Sequence, residues 1–266
     1  HWMVHSFPTR RSSDLLLDDV VPGMWAEMLG NRDFEGVLPA ANWAYHLGAL
    51  NLCDRDWDHN GTWTCDEEEP WSGARSAKLT AAKDRPGQLS QGGLAVTRGM
   101  TYQFSGCLRS DSASLEVSVR LKALLPDGQW MSLGSVTLPS PTADWTRTRV
   151  NLTSAGTTDR AVLEIEAAGE GDLWLDKLSL MPADNIEGWR RDVVEATREL
   201  RPPILRWGGS TIDPGGYKWK EQIGDRDRRP TFLTRPWGRR DSGDVGIEEF
   251  IGFCRAVGSE PLVCVS

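Results

Sequence analysis

The stretch Ile204–Lys220, ILRWGGSTIDPGGYKWK, decides how the chain is read. Its first four residues are strand-like. A glycine pair, a hydroxyl, a Pro-Gly-Gly turn and more aromatics follow. A strand therefore ends at Trp207 and a polar, glycine-loosened loop begins. In α/β folds the loops after strand C-termini build the functional face. Arg206 and Trp207 stand at that end. Gly208 and Gly209 permit a sharp turn or a close approach to a ligand. An arginine here suits holding a carboxylate in its ionised form, or pairing with a neighbouring strand.

On either side of this stretch the spacing is helical. From Asp184, residues Ile186, Trp189, Val193, Val194, Thr197 and Leu200 recur at a 3.6 period, and Pro202-Pro203 stops the helix. After a long loop, a second helix is expected from an N-cap at Asp244. Its stripe is Ile247, Phe250, Ile251, Cys254 and Val257, and Gly258 closes it. A strand over 262–265 follows. Helix, strand, loop, helix, strand predicts α/β texture with a parallel sheet. A loop as long as the one after Trp207 points to function. Within it Trp219 is a candidate sugar-stacking wall, or a loop residue packed on the rim.

Residues 36–182 have a different texture. Leu115, Val117, Val119 and Leu121 alternate on one face, as does the run 101–109, and turns separate further short strands to Leu180. This predicts an antiparallel, jelly-roll-like β-sandwich. Residues 16–35 read as a strand tail and a short helical turn through Met24, Trp25, Met28 and Leu29. The fold expected is mixed: a sandwich (36–182) inserted into the start of an incomplete (β/α)8 barrel (16–35 and 183–266). A whole barrel takes roughly 250 residues, more than the flanking stretches hold. Residues 1–15 resemble translated sequencing adapter and are set aside, and the chain reads as a fragment cut at both ends.

Composition narrows the function. The 266 residues are 39% hydrophobic with net charge −8 and no long basic block, which argues against nucleic acid or an anionic membrane as partner. Thirteen tryptophans against six phenylalanines and three tyrosines suit stacking on sugar rings. In the sandwich Trp63, Trp71 and Trp130 are candidate stacking residues, with core or rim packing as the alternative. The five cysteines form no CxxC and suggest neither a zinc site nor a dense disulfide framework; Cys53 and Cys65 could pair in an oxidising compartment, which the sequence does not decide. Asp54–Gly61 fails calcium-loop spacing and reads as a solvated loop. Glu67-Glu68-Glu69 reads as a surface run. No metal site and no cofactor are predicted.

GMWAEMLGNRDFEG (Gly23–Gly36), GWRRDVVEATRELRPPILRWGGS (Gly188–Ser210), YKWKEQIGDRDRRP (Tyr217–Pro230) and VGIEEFIGFCRAVGSEPLVCVS together resemble glycoside hydrolase family 51, the α-L-arabinofuranosidases. The insert, with WSGARSAKLT, TYQFSGCLR and GDLWLDKLSLMP, resembles carbohydrate-binding modules of families 4 and 9. The resemblance implies a retaining glycosidase acting on plant cell-wall arabinan, arabinoxylan or arabino-oligosaccharides. Its two catalytic glutamates, roughly 5–5.5 Å apart, would lie beyond Ser266, so no catalytic residue is assigned here and the fragment is expected to be inactive. Substrate contacts fall on Arg206, Trp207, Gly208, Gly209, Ser210 and Trp219. Trp207 stands where the family pattern carries an aromatic followed by proline. The family's first-strand glutamate is expected just before Gly23, where Asp18 and Asp19 stand. Another retaining barrel hydrolase of endoglucanase or xylanase type, or a non-catalytic sugar-binding protein, are the alternatives. Compartment and oligomeric state are left open.

Overall fold

The computed structural model describes residues 23–35, 56–58, 60–208, 218–234 and 239–265. The adapter-like start, Asp18, Asp19 and Cys53 lie outside them. The described residues fall into two compact units: 28–35 with 56–183, and 23–27 with 184–265.

The first unit is an antiparallel two-sheet sandwich. Its strands are β1 (Trp63–Asp66), β2 (Ser76–Ala81), β3 (Gly87–Val96), β4 (Thr101–Ser110), β5 (Glu116–Leu124), β6 (Trp130–Thr137), β7 (Thr146–Thr153), β8 (Thr158–Ala168) and β9 (Gly171–Pro182). One sheet has the order β1-β2-β9-β4-β7, the other β3-β8-β5-β6. The two-residue period of the sequence sets which side chains turn inward. In β5, Val117, Val119 and Leu121 are buried, and they lie opposite Ala167, Ile165 and Leu163 of β8. In the other sheet Phe104 lies opposite Leu180 and both are fully buried. The two inner faces form one hydrophobic core.

The expected boundary at residue 35 shifts. Residues 28–35 pack with the sandwich, not with the α/β unit. Met28 N–H donates to Leu180 O (3.0 Å), Gln91 brackets Gly30 N–H and O (2.7 and 3.0 Å), and Phe34 stacks on Trp57 at 5.5 Å. A helix through Met24–Leu29 is also not formed. Trp25 bridges Trp189, and Ala26 N–H donates to Gly188 O. The apolar residues that suggested a helix are used instead in an irregular segment, Trp25 against Trp189 and Leu29 in the sandwich core.

The second unit holds α1 (Arg191–Leu200), β10 (Ile204–Trp207), a short hairpin of β11 (Phe232–Thr234) and β12 (Arg239–Asp241), α2 (Ile247–Val257) and β13 (Glu260–Val263). β10 and β13 pair in parallel, with Arg206 opposite Leu262. Helix α1 begins later than its apolar spacing suggests, because Ile186 and Trp189 close a tight turn on each other. Leu200, expected on its inner face, is 64% exposed, while Val194 is fully buried. Helix α2 is capped by Glu249, which accepts from Gly246 N–H at 2.7 Å, not by Asp244. Asp244 is instead buried and accepts from Ser242 Oγ at 2.7 Å.

Candidate functional site

Strand alternation separates two residues that sequence placed in one site. Leu205 and Trp207 are buried, and Trp207 packs on Phe250 of α2 at 5.4 Å. Arg206 and Ile204 point to the opposite, more open face of β10. Trp207 is 1% exposed; a sugar cannot stack on it. Its role is to seat α2 on the strand. Its carbonyl also accepts from Cys264 N–H at 2.9 Å, which fixes the end of β10 against β13. Gly208 leaves the strand with φ 124°, a conformation open to glycine. Gly209 and Ser210 lie outside the described residues.

Trp219 opens a 3-10 turn over Trp219–Gln222 and is half-buried, with Lys220 Nζ 5.5 Å from its ring centre. What holds this loop is Arg229, a residue the sequence reading passed over. Its guanidinium is buried and makes a two-pronged contact with Glu249 (2.8 and 2.9 Å). It also donates to Gly224 O (2.9 Å) and Gly243 O (3.2 Å). Gly224 N–H donates to Glu248 at 2.7 Å. Glu248 and Glu249, the acidic residues in the first turn of α2, thus tie the 218–229 loop to the start of that helix. Arg226 lies over the Trp25 ring at 5.6 Å, and Trp25 meets Trp189 edge-on at 5.2 Å. An Arg-Pro pair 20 residues before a capping glutamate carries no local signal for this clamp.

In the sandwich the three nominated tryptophans separate. Trp63 is 4% exposed, packs against Phe34 and donates its indole N–H to Asp58 O at 2.8 Å. It is core, with no face for a sugar. Trp71 is half-buried beneath Arg147 at 5.7 Å. Trp130 is 52% exposed, with Lys122 Nζ 4.4 Å from its ring centre. The reading missed Trp145 and Trp174. Arg109 sits between them, at 5.4 and 4.5 Å, and Lys78 covers Trp174 at 4.8 Å.

The most perturbed acid is structural. Burial pushes Asp176 up to about 8, against the opposing pull of Lys177 and the amide hydrogen bonds from Ser72 and Lys177. Burial also raises Glu35, which accepts from the amides of Ala74 and Arg75. Cys254 is buried in α2 and its thiol is pushed up to about 11, so it does not serve as a nucleophile at neutral pH. Cys65 is disulfide-bonded, whereas Cys107, Cys254 and Cys264 are free. Among the described residues no cluster of three or more His, Cys, Asp or Glu is placed to hold a metal ion. No described helix is long and apolar enough to cross a membrane.

Residues 196–266 match the alpha-L-arabinofuranosidase 1 domain. That region contains β10, its loop, α2 and β13. Over 90% of its length the chain is 23% identical to Alpha-L-arabinofuranosidase 1 of Arabidopsis thaliana, and it spans 37% of that relative. A 95-residue stretch, 35% of the chain and 18% of the relative, is 38% identical to the Intracellular exo-alpha-L-arabinofuranosidase of Bacteroides ovatus. The fold is similar to that of an arabinose-bound family 51 α-L-arabinofuranosidase, with a TM-score of 0.76 at 19% identity. The similarity covers 94% of this chain and 42% of that one. The chain thus contains a region that matches an arabinofuranosidase domain and shares its fold with part of such an enzyme, spanning less than half of the relatives' length.

Proposed function

We propose that the chain is part of a retaining glycoside hydrolase that releases terminal non-reducing α-L-arabinofuranosyl residues from arabinan or arabinoxylan. The observation that carries this is the position of Arg206. It ends a parallel strand inside the matched domain, on the face turned away from α2, where a loop of glycines and tryptophan follows. In this reading β10 and β13 are early strands of a (β/α)8 barrel, with α1 and α2 on its outside. The open face of β10 then looks into the barrel. There Arg206 would hold a catalytic carboxylate ionised and nucleophilic. The sandwich is inserted ahead of these strands, and both catalytic glutamates lie outside the 266 residues. Trp219, fixed by the Arg229 clamp, would wall the sugar site, and Gly208, Gly209 and Ser210 would leave room for a furanose ring.

The test is hydrolysis of 4-nitrophenyl α-L-arabinofuranoside by the reading frame continued past Ser266 to the length of the relatives. Release of 4-nitrophenol by the longer protein, and none by the 266-residue chain, supports the proposal. Arg206→Ala in the active protein should lower kcat more than it raises KM. Cleavage of aryl xylosides or cellobiosides instead would favour an endoglucanase- or xylanase-type enzyme. Sugar binding without any hydrolysis would leave a non-catalytic carbohydrate-binding protein.

A further inference from the structure

The last strand of the sandwich leaves its alternation at one place. Ser179 of β9 lies opposite Ser105 and Asp176 lies opposite Cys107, so two residues, Lys177 and Leu178, face the single Gly106. A bulge of this kind re-aims side chains. Lys177 takes a left-handed backbone at φ 48°, and Asp176, Lys177 and Leu178 are all buried. The segment 31–35 packs against the bulge. Leu178 N–H donates to Arg32 O at 2.9 Å, and the Arg32 guanidinium donates to Leu178 O at 3.4 Å. Asp33 is thereby set beside Lys177, its Oδ2 3.5 Å from Nζ.

The two side chains are 2% and 0% exposed. A lysine is almost never buried so fully without a partner, and an ion pair taken out of water must offset the desolvation of both its charges. Passing the proton from Nζ to Oδ2 removes both charges and leaves an amine against a carboxylic acid. A third group stands next to them. Asp176 is within electrostatic reach of both Lys177 and Asp33. Its carboxyl is held by the amides of Lys177 (2.7 Å) and Ser72 (3.0 Å). Burial raises it to about 8, so at neutral pH it carries a proton. An amine, an acid carbon and a proton donor are what an amide condensation needs.

We propose that Lys177 and Asp33 condense to an isopeptide bond, with Asp176 carrying the protons. The neutral Nζ attacks Asp33 Cγ. Asp176 gives its proton to the departing hydroxyl and recovers one from the nitrogen. One C–N bond forms, one C–O bond breaks, one water leaves, and nothing is oxidised or reduced. The product replaces a buried ion pair with a neutral amide. It ties the 31–35 segment to β9, the middle strand of its sheet, and closes a loop that contains β1 to β8. Such a cross-link stabilises mainly by restricting the unfolded chain. The inference is independent of the hydrolase reading, because it concerns the fold of the sandwich and not a substrate.

The experiment is the intact mass of the 266-residue chain with its disulfide reduced, followed by a tryptic map. The mass should lie one water below that of the sequence. The map should show a branched peptide joining Asp33 to Lys177 and no cleavage after Lys177. Lys177→Arg should restore the full mass, and Asp176→Asn should leave most of the chain uncondensed. The melting temperature serves as the folding check, and the map of the unsubstituted chain carries the test even where a variant does not fold. The full sequence mass in the folded chain would overturn the proposal and leave a plain buried ion pair. So would a water lost elsewhere, as in a succinimide, or a loss that persists in Lys177→Arg. Complete condensation in Asp176→Asn would remove Asp176 from the step.

Discussion

The sandwich and the α/β unit bury their sheets to different degrees. In the sandwich each sheet turns one face inward onto the other, and Phe104, Leu163, Ile165 and Leu175 have no exposed surface. In the α/β unit the parallel pair β10–β13 is covered by α2 on one side. On the rest of its surface Ile204 is 48% exposed, Leu262 46% and Val265 52%. Parallel sheets ordinarily have both faces covered. Among the described residues, both sheets of the sandwich are covered on their inner faces, while the parallel pair has one face covered by α2. Stability should divide along that line.

The largest effect expected follows from removing a core ring on the better-covered side. Phe104→Ala should cost the sandwich about 3–5 kcal/mol, read by denaturant unfolding followed through amide exchange in β3, β5 and β8. Protection in α2 should change little. If α2 loses protection to the same extent, the two units unfold together and the contrast fails. Next in size is Arg229→Ala, which leaves Glu249 facing a loop without its main cation. A loss of about 3 kcal/mol is expected, confined to the α/β unit. Arg229→Lys should recover only part of it, because an ammonium cannot reproduce the two-pronged contact. Unchanged exchange in the 218–229 loop would show that the clamp does not hold it.

A third effect belongs to the sandwich alone and depends on pH. The folded Asp176 binds a proton up to about pH 8, whereas the unfolded carboxyl releases it near 3.8. Between those values the folded state holds the extra proton. Its stabilisation is complete below the lower value and is lost as pH rises through the upper one. Burial of Glu35 works in the same direction. The denaturant midpoint of the sandwich should therefore fall from pH 5 to 8 relative to Asp176→Asn, in which that slope is absent. Parallel pH profiles in the two proteins would mean that Asp176 is ionised throughout, with Lys177 as its counter-charge.

How much of this was legible follows from the range of each interaction. The alternation in β5 and β8 and the strand Ile204–Trp207 were readable, because a period of two is a local signal. Gly258 as the stop of α2 was readable for the same reason. Leu200 shows the limit. Its spacing fits the inner face of α1, but the helix is short and Leu200 stands at its exposed end. The tryptophans were countable but not assignable. Trp63 lies in the core and Trp130 in solvent, although both sit at strand ends among polar residues. Which one is buried depends on Phe34, contributed from 29 residues upstream of Trp63 by a segment expected to belong to the other unit. Arg206 was placed correctly at a strand end. That Trp207 faces the other way follows from the same period, applied one residue further.

The smallest effect compares two helix ends within the α/β unit. Both α1 and α2 stop at a left-handed residue, Arg201 at φ 49° and Gly258 at φ 78°. Both residues donate a backbone N–H to a carbonyl in the last turn. A side chain costs about 1 kcal/mol in this conformation, and a methyl group at Gly258 would meet nothing within 4 Å. Gly258→Ala should therefore lose about 1 kcal/mol through backbone strain alone. Arg201→Gly should gain less, about 0.5 kcal/mol, because glycine also widens the unfolded ensemble that folding must narrow. If the two changes prove equal and opposite, unfolded-state entropy is negligible at these ends. If Arg201→Gly destabilises, the arginine contributes a contact at the end of α1 that offsets its strained backbone.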